Sequence, residues 1–262
     1  MGGAHDPGDE DVRRGRRGNC ASRRHRAVRA ARGARAAFAY FSTLPVGSAN
    51  APDAETLAFL PLVGAVVGGL AGTGGWAVSL VAPHALTVAV AFGLSIAFTG
   101  ALHVDGFLDV CDGAFASVPA QRRREILKDP HHGTFAIAFF AVLCAVWLAA
   151  LWSIDPPRLP LALAFAGSAA RWIAVAVARV FPYGNAGIRP PLGIHAAMGA
   201  LALALGWSYW GHAVVLIALG GATFAAAFWL RSRLGQLNGD CYGFLIACTE
   251  VAILAALPLT SP

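Results

Sequence analysis

From Leu57 onward the chain alternates long apolar runs with short polar punctuation. A helix needs about 20 apolar residues, rising ~1.5 Å each, to cross ~30 Å of hydrocarbon. Runs of that kind lie at roughly 57–82, 84–103, 134–153, 160–181, 192–210, 212–230 and 241–260. They predict an all-α, polytopic integral membrane bundle of about seven transmembrane helices. Pro83, "DPPRLP" and Gly211 mark tight turns between successive runs. The glycines of "VGAVVGGLAGTGG" in the first run predict close helix packing within a bilayer. The aromatic stretch "AFAYFSTLPVG" (37–47) is too short to cross and reads as an interfacial or re-entrant segment. Residues 1–36, rich in Arg, Gly and Ala, show no apolar stripe and read as a disordered basic tail ahead of a transmembrane domain at 37–262.

Composition strengthens the membrane reading. The chain is 57% hydrophobic and 13% charged, with a mean hydropathy of +0.60, whereas a soluble domain is about a quarter charged. The net charge of +6 is unevenly placed, because ten of the twenty Lys and Arg residues lie between Arg13 and Arg35. That run fits attraction to anionic lipid or plain solvation rather than nucleic-acid binding. No short apolar segment with a cleavage site follows the arginines, and Asp6, Asp9, Glu10 and Asp11 are out of character for a transit peptide. The five cysteines show neither metal spacing nor a secreted framework. The basic tail places the N-terminus in the cytoplasm by the positive-inside rule. Seven spans then put the connections 103–133, 182–191 and 231–240 on that side, carrying Arg122, Arg123, Arg124, Lys128, Arg189, Arg231 and Arg233. The outer connections hold only Arg158. The cytoplasmic loops are also the polar, glycine-bearing ones, so chemistry is expected on the cytoplasmic face of a multi-pass protein of the cell's inner membrane. Oligomeric state is left open, a homo-oligomer included.

The stretch "HVDGFLDVCDGAF" holds three aspartates in eight residues. On a helix Asp105, Asp109 and Asp112 fall at 0°, about 40° and about −20°, one narrow face. Carboxylates that close repel one another unless a cation lies between them. The surrounding Phe107, Leu108, Val110 and Phe115 bury the helix's other faces, and clustered acids at a membrane boundary mark function. Hard oxygen ligands favour Mg²⁺ or Mn²⁺, which bind through a few carboxylates, water and substrate phosphates. Gly106 and Gly113 let a backbone or a phosphate come close. In "RRREILKDPHHGTF", Arg122–Arg124 read equally as a solvated helix face, while Lys128, Asp129 and Gly133 sit at the mouth of the next run. His131 and His132 are potential metal or acid–base groups. In "LNGDCYG", Asn238, Gly239 and Asp240 open the last run, with Asp240 either a plain N-cap or a fourth ligand. Glu250 lies ~13 Å into that run, and Arg171 at similar depth in another. Alone in lipid each is costly, so they are expected to pair or to share a polar cavity.

Together these segments resemble the adenosylcobinamide-GDP ribazoletransferase (cobalamin synthase) family. The similarity runs from about residue 38 to 258, through "FSTLPVG", "LHVDGFLDVCDG", "EILKDPHHGTF", "NGDCYG" and Glu250. The resemblance implies an Mg²⁺-dependent membrane enzyme joining adenosylcobinamide-GDP to α-ribazole, or its 5′-phosphate, with release of GMP. It implies Asp105, Asp109 and Asp112 as metal ligands with Asp240 as a fourth. Lys128 and Arg189 would neutralise the diphosphate, and His103 or an aspartate would accept the nucleophile's proton. His103 is placed just before the aspartate helix, where a structural hydrogen bond is its other reading. This chain departs from the family in three places. "FPYGNAGIRPPLG" lacks the usual Arg-containing segment, "KDPHHGTFA" carries His131 in place of an Arg, and Ala247 stands where a second Glu is common. A CDP-alcohol phosphotransferase would want "AR" after its "DG" pair, where "FLDV" and "AFAS" stand here. A cation-coupled transporter would carry its acids near the midplane of broken helices.

Overall fold

The computed structural model describes residues 27–48, 50–182, 187–207 and 213–260. The first part of the basic run, the stretch 183–186 and the link 208–212 lie outside the described residues. Among the described residues eleven α-helices follow one another: α1 (residues 27–41), α2 (Ala54–Ala58), α3 (Leu60–Ser79), α4 (His84–Phe98), α5 (Leu102–Phe115), α6 (Ala120–Ile126), α7 (Thr134–Trp152), α8 (Leu159–Val180), α9 (Leu192–Leu205), α10 (Ala213–Leu234) and α11 (Gly239–Ala256). There is no β-strand among the described residues.

Among the described residues, helix forms within each of the seven apolar runs. Among the described residues four helices are long and apolar enough to cross a membrane: Leu60–Ser79, Thr134–Trp152, Pro156–Val180 and Gly239–Ala256. A fifth is counted if α4 and α5 form one broken span, since the two are bent by 85°. Helix α9, at 14 residues, reaches only ~21 Å. The expected straight span over 84–103 therefore stops at Phe98. Thr99, Gly100 and Ala101 make the corner, with Gly100 at φ +60° and Ala101 at φ +57° in left-handed conformation. That conformation costs a non-glycine residue about 1–2 kcal/mol. The corner is closed by Ala101 N–H donating to the Ile96 carbonyl at 3.0 Å. Thr43 holds it from outside, its N–H on the Phe98 carbonyl at 2.8 Å and its hydroxyl on that of Ala97 at 3.0 Å.

Helix α1 covers the last ten residues of the segment read as tail and the first five of the supposed interfacial segment. Gly33, Ala37 and Phe41, spaced four apart, form one buried stripe; Ala37 and Phe41 cluster with Leu57 and Leu60, Gly33 backs onto Glu55 and Phe59, and Arg29 pairs with Glu55 at 2.7 Å. Deeper in the bundle, Gly64, Gly68 and Gly72 of α3 lie against the α8 backbone so closely that a Cβ on any would collide with the carbonyl of Gly167, Leu163 or Leu159 respectively. This small-residue seam makes α3 and α8 the tightest pair and gives α11 a firm surface to pack on.

Candidate functional site

Helix α5 begins at Leu102, so His103 lies inside it rather than before it. Two residues along a helix turn by about 200°, which puts His103 away from Asp105. His103 is 7% exposed, and its Nε2 has no hydrogen-bond partner. The aspartate face divides by depth: Asp105 is exposed, Asp109 half-buried and Asp112 buried. Helix α11 crosses α5 at Gly106 and Gly243. A Cβ on Gly106 would come within 2.8 Å of the Asp240 carbonyl, and one on Gly243 within 3.3 Å of the Gly106 Cα. The absence of side chains there brings Asp240 beside Asp105. Asn238 caps α11, accepting from the Cys241 N–H at 3.1 Å and donating its amide to Asp240 at 2.7 Å.

Asp112 has an architectural job. One carboxylate oxygen accepts from the N–H of Gly133, the other from that of Ala136 at 3.0 Å. The buried carboxylate of α5 thus caps the start of α7, meeting amides and a partial positive dipole that would otherwise be unsatisfied. Gly133 is needed for the approach, since a Cβ would lie 2.9 Å from Asp112 Oδ1. The clamp delivers His132 to the acids. One donor atom from each of Asp105, Asp109 and His132 lies within 4.8 Å of the others, and His132 Nδ1 is 3.7 Å from Asp109 Oδ1. The charges of Asp105, Asp240 and Asp112 all act on Asp109, opposed by His132.

Other residues singled out from sequence are placed differently. Asp129 is occupied locally, accepting from the His131 N–H at 3.0 Å and facing its Nδ1 at 2.9 Å. Those bonds hold its carboxyl below the usual range. Lys128 and Arg189 are exposed, and among the described residues no ion pair joins either to the acids. Arg171 and Glu250 do pair, at 2.7 Å, and Arg171 also donates to the Gly167 carbonyl at 2.9 Å.

Sequence reasoning missed the arginine clasp beside the site. Arg233 donates to the carbonyls of Ala114 (3.0 Å) and Ala116 (3.2 Å) at the end of α5. Arg123 donates to Ala116 and Arg233, and Arg124 to Leu234. Guanidinium groups on orphan helix carbonyls, at the negative ends of two dipoles, tie α5, α6 and α10 together. No local signal distinguishes such arginines from a solvated face. Above the acids, a cleft of about 120 Å³ opens between α1, α3, α5, α8 and α11, with His103, Asp105, Gly239 and Asp240 in its lining.

The chain matches a family profile described as cobalamin-5-phosphate synthase over residues 33–258. It is 35% identical over 211 residues to an adenosylcobinamide-GDP ribazoletransferase of Leptothrix cholodnii, covering 73% of this chain and 80% of that protein. A protein of the same name from Deinococcus radiodurans is 35% identical over 208 residues, covering 77% of this chain and 74% of the relative. Another from Desulfitobacterium hafniense is 30% identical over 228 residues, covering 78% and 86%. No solved structure matches. With its acid-bearing helix, apolar spans and nearly full-length match, the chain belongs to the cobalamin-5-phosphate synthase family, the membrane transferases of cobalamin biosynthesis.

Proposed function

We propose that the chain joins adenosylcobinamide-GDP to α-ribazole, or to its 5′-phosphate, and releases GMP with the help of Mg²⁺. The observation that carries this reading is the convergence of Asp105, Asp109 and His132 within 4.8 Å, with Asp240 alongside. Carboxylates so close repel one another, and a divalent ion relieves that repulsion. The carboxylates are hard oxygen donors of the kind Mg²⁺ or Mn²⁺ takes together with water and substrate phosphates, while the imidazole by itself would suit zinc as well. Asp105, Asp109 and His132 would hold the ion, which when bound neutralises charge on the diphosphate. Asp112 serves by fixing the loop that carries His132.

In the transfer, a ribazole hydroxyl oxygen bonds to the phosphorus nearer cobinamide, and the bond from that phosphorus to the GMP oxygen breaks. The hydroxyl proton passes to a carboxylate. Asp105 or Asp240, at the convergent group, takes that part, with His103 of the same cleft lining as the alternative acceptor. Such a reaction is mainly positioning and charge neutralisation. Lys128 and Arg189, on exposed loops, supply positive charge to the diphosphate once substrate is bound. The clasp of Arg123, Arg124 and Arg233 gathers at the end of the acid helix. By the positive-inside rule it supports a site on the cytoplasmic face of the inner membrane.

The test is GMP release by membranes carrying the protein, supplied with adenosylcobinamide-GDP, α-ribazole and Mg²⁺. GMP is expected only with all three, and EDTA should stop it. GMP formed without ribazole would contradict the transfer, and full turnover in excess EDTA would contradict the metal.

A further inference from the structure

The cleft above the acids has a chemistry of its own. Tyr40 and Phe41 of α1 form an aromatic wall, their rings 4.8 Å apart edge to face, and Leu60, Val175 and Ile246 form an apolar floor. Its charged lining is confined to Asp105 and Asp240, and no Lys or Arg contributes. A diphosphate would therefore meet only like charge there. At about 120 Å³ the cleft is also well below the roughly 300–1,000 Å³ of pockets that enclose a whole drug-sized ligand. A corrin ring or an entire nucleotide is too large, whereas one flat ring system fits.

We infer that this cleft takes the heteroaromatic base of the ribazole, with the ribose directed toward Asp105 and Asp240; the assignment rests on the transferase reading. Two flat bases take part in that reaction, and the lining separates them. Guanine carries donors and acceptors around its edge; the carboxylates at the rim could meet only its N–H groups, and seated in the cleft its remaining acceptors would face leucine, valine and isoleucine. The outer edge of a benzimidazole-type base is hydrocarbon and suits those walls. Asp105 belongs both to the cleft and to the convergent Asp105–Asp109–His132 group. A base seated between the aromatic wall and the floor thus leaves its ribose at the acids, where the attacking hydroxyl is needed. Helix α1 becomes part of the binding site, supplying Tyr40 at 40% exposure as an accessible edge.

The experiment compares the full chain with Val175→Phe, which fills the cleft, and Tyr40→Ala, which removes the accessible wall. KM is measured separately for α-ribazole and for adenosylcobinamide-GDP. A KM for ribazole raised about tenfold or more, with the other KM within about twofold, is expected for both variants. A rise confined to adenosylcobinamide-GDP, or an equal rise in both, overturns the assignment. Tyr40→Ala is at an exposed position and keeps the test alive if Val175→Phe does not fold. Equilibrium binding of ribazole alone separates this inference from the reaction. Ribazole bound by the unaltered protein and weakened in Tyr40→Ala supports the cleft even if no GMP is released, whereas equal binding to both proteins overturns it.

Discussion

Two groups of charge stand out among the described residues, one buried and one at the rim of a cleft, and they are built on opposite plans. Arg171 and Glu250 lie 3% and 8% exposed, one cation against one anion at 2.7 Å, with a further hydrogen bond to Gly167. Around α5, Asp105, Asp109 and Asp240 gather with one histidine to oppose them. The first group is complete within the protein and adds shape: Arg171 sits where α3 and α8 cross at Gly64 and Gly167. The second leaves its negative charge unbalanced among the described residues. A balanced buried pair is architecture, and the unbalanced cluster at the rim of the cleft is the candidate site.

The contrast is broken most forcefully by exchanging its members. Asp109→Asn and Asp105→Asn should each lower GMP formation by about 10²–10⁴-fold, with thermal unfolding in detergent unchanged. Stability falling in step with activity would place these residues in the frame instead. Arg171→Met should do the reverse, costing about 3–5 kcal/mol by leaving Glu250 buried and unpaired. Pairing it with Glu250→Leu should recover most of that loss; no recovery in a denaturation series would show that Arg171 acts beyond the pair.

Asp112 sharpens the comparison, because it shares the aspartate face yet caps α7. Asp112→Ala should cost about 1–3 kcal/mol for the unmet amides of Gly133 and Ala136 and reduce activity by displacing His132. A variant of full stability would rule out the cap. The smallest effect belongs to Asp53, the N-cap of α2, whose carboxyl is held below its ordinary value by the Thr56 amide and hydroxyl. A lowered folded-state pKa contributes stability in full above the ordinary carboxylate range and loses it as pH falls through the lowered value. Asp53→Ala should therefore be less stable by up to about 1 kcal/mol near neutrality, and the difference should vanish in acid. A gap that widens as pH falls would reverse the sign and discard the cap.

Much of this was legible from residue spacing. Asp105 and Asp109 share a face because a helix repeats every 3.6 residues, and Gly106 announced the close approach that Asp240 makes. Arg171 and Glu250 could be matched because each was intolerable alone in lipid. The corner at Gly100 was not legible, since apolar residues continue through it and the hydrogen bonds that turn the chain come from Thr43, far upstream. The cap made by Asp112 depends on a partner 21 residues onward, so the regular spacing of three aspartates gave no sign that this one also holds the start of α7. The helix over residues 27–41 was hidden by arginines. Its stripe of Gly33, Ala37 and Phe41 is narrow and small-sided, weak in hydropathy but sufficient against Glu55, Leu57, Phe59 and Leu60.

Binding of Mn²⁺, followed by electron paramagnetic resonance on the purified protein in detergent, separates ligand from framework without recourse to turnover. The unaltered protein and Glu250→Gln should each take up the ion, while Asp105→Asn and Asp109→Asn, though folded, should not. Uptake undiminished in both aspartate variants would contradict the account.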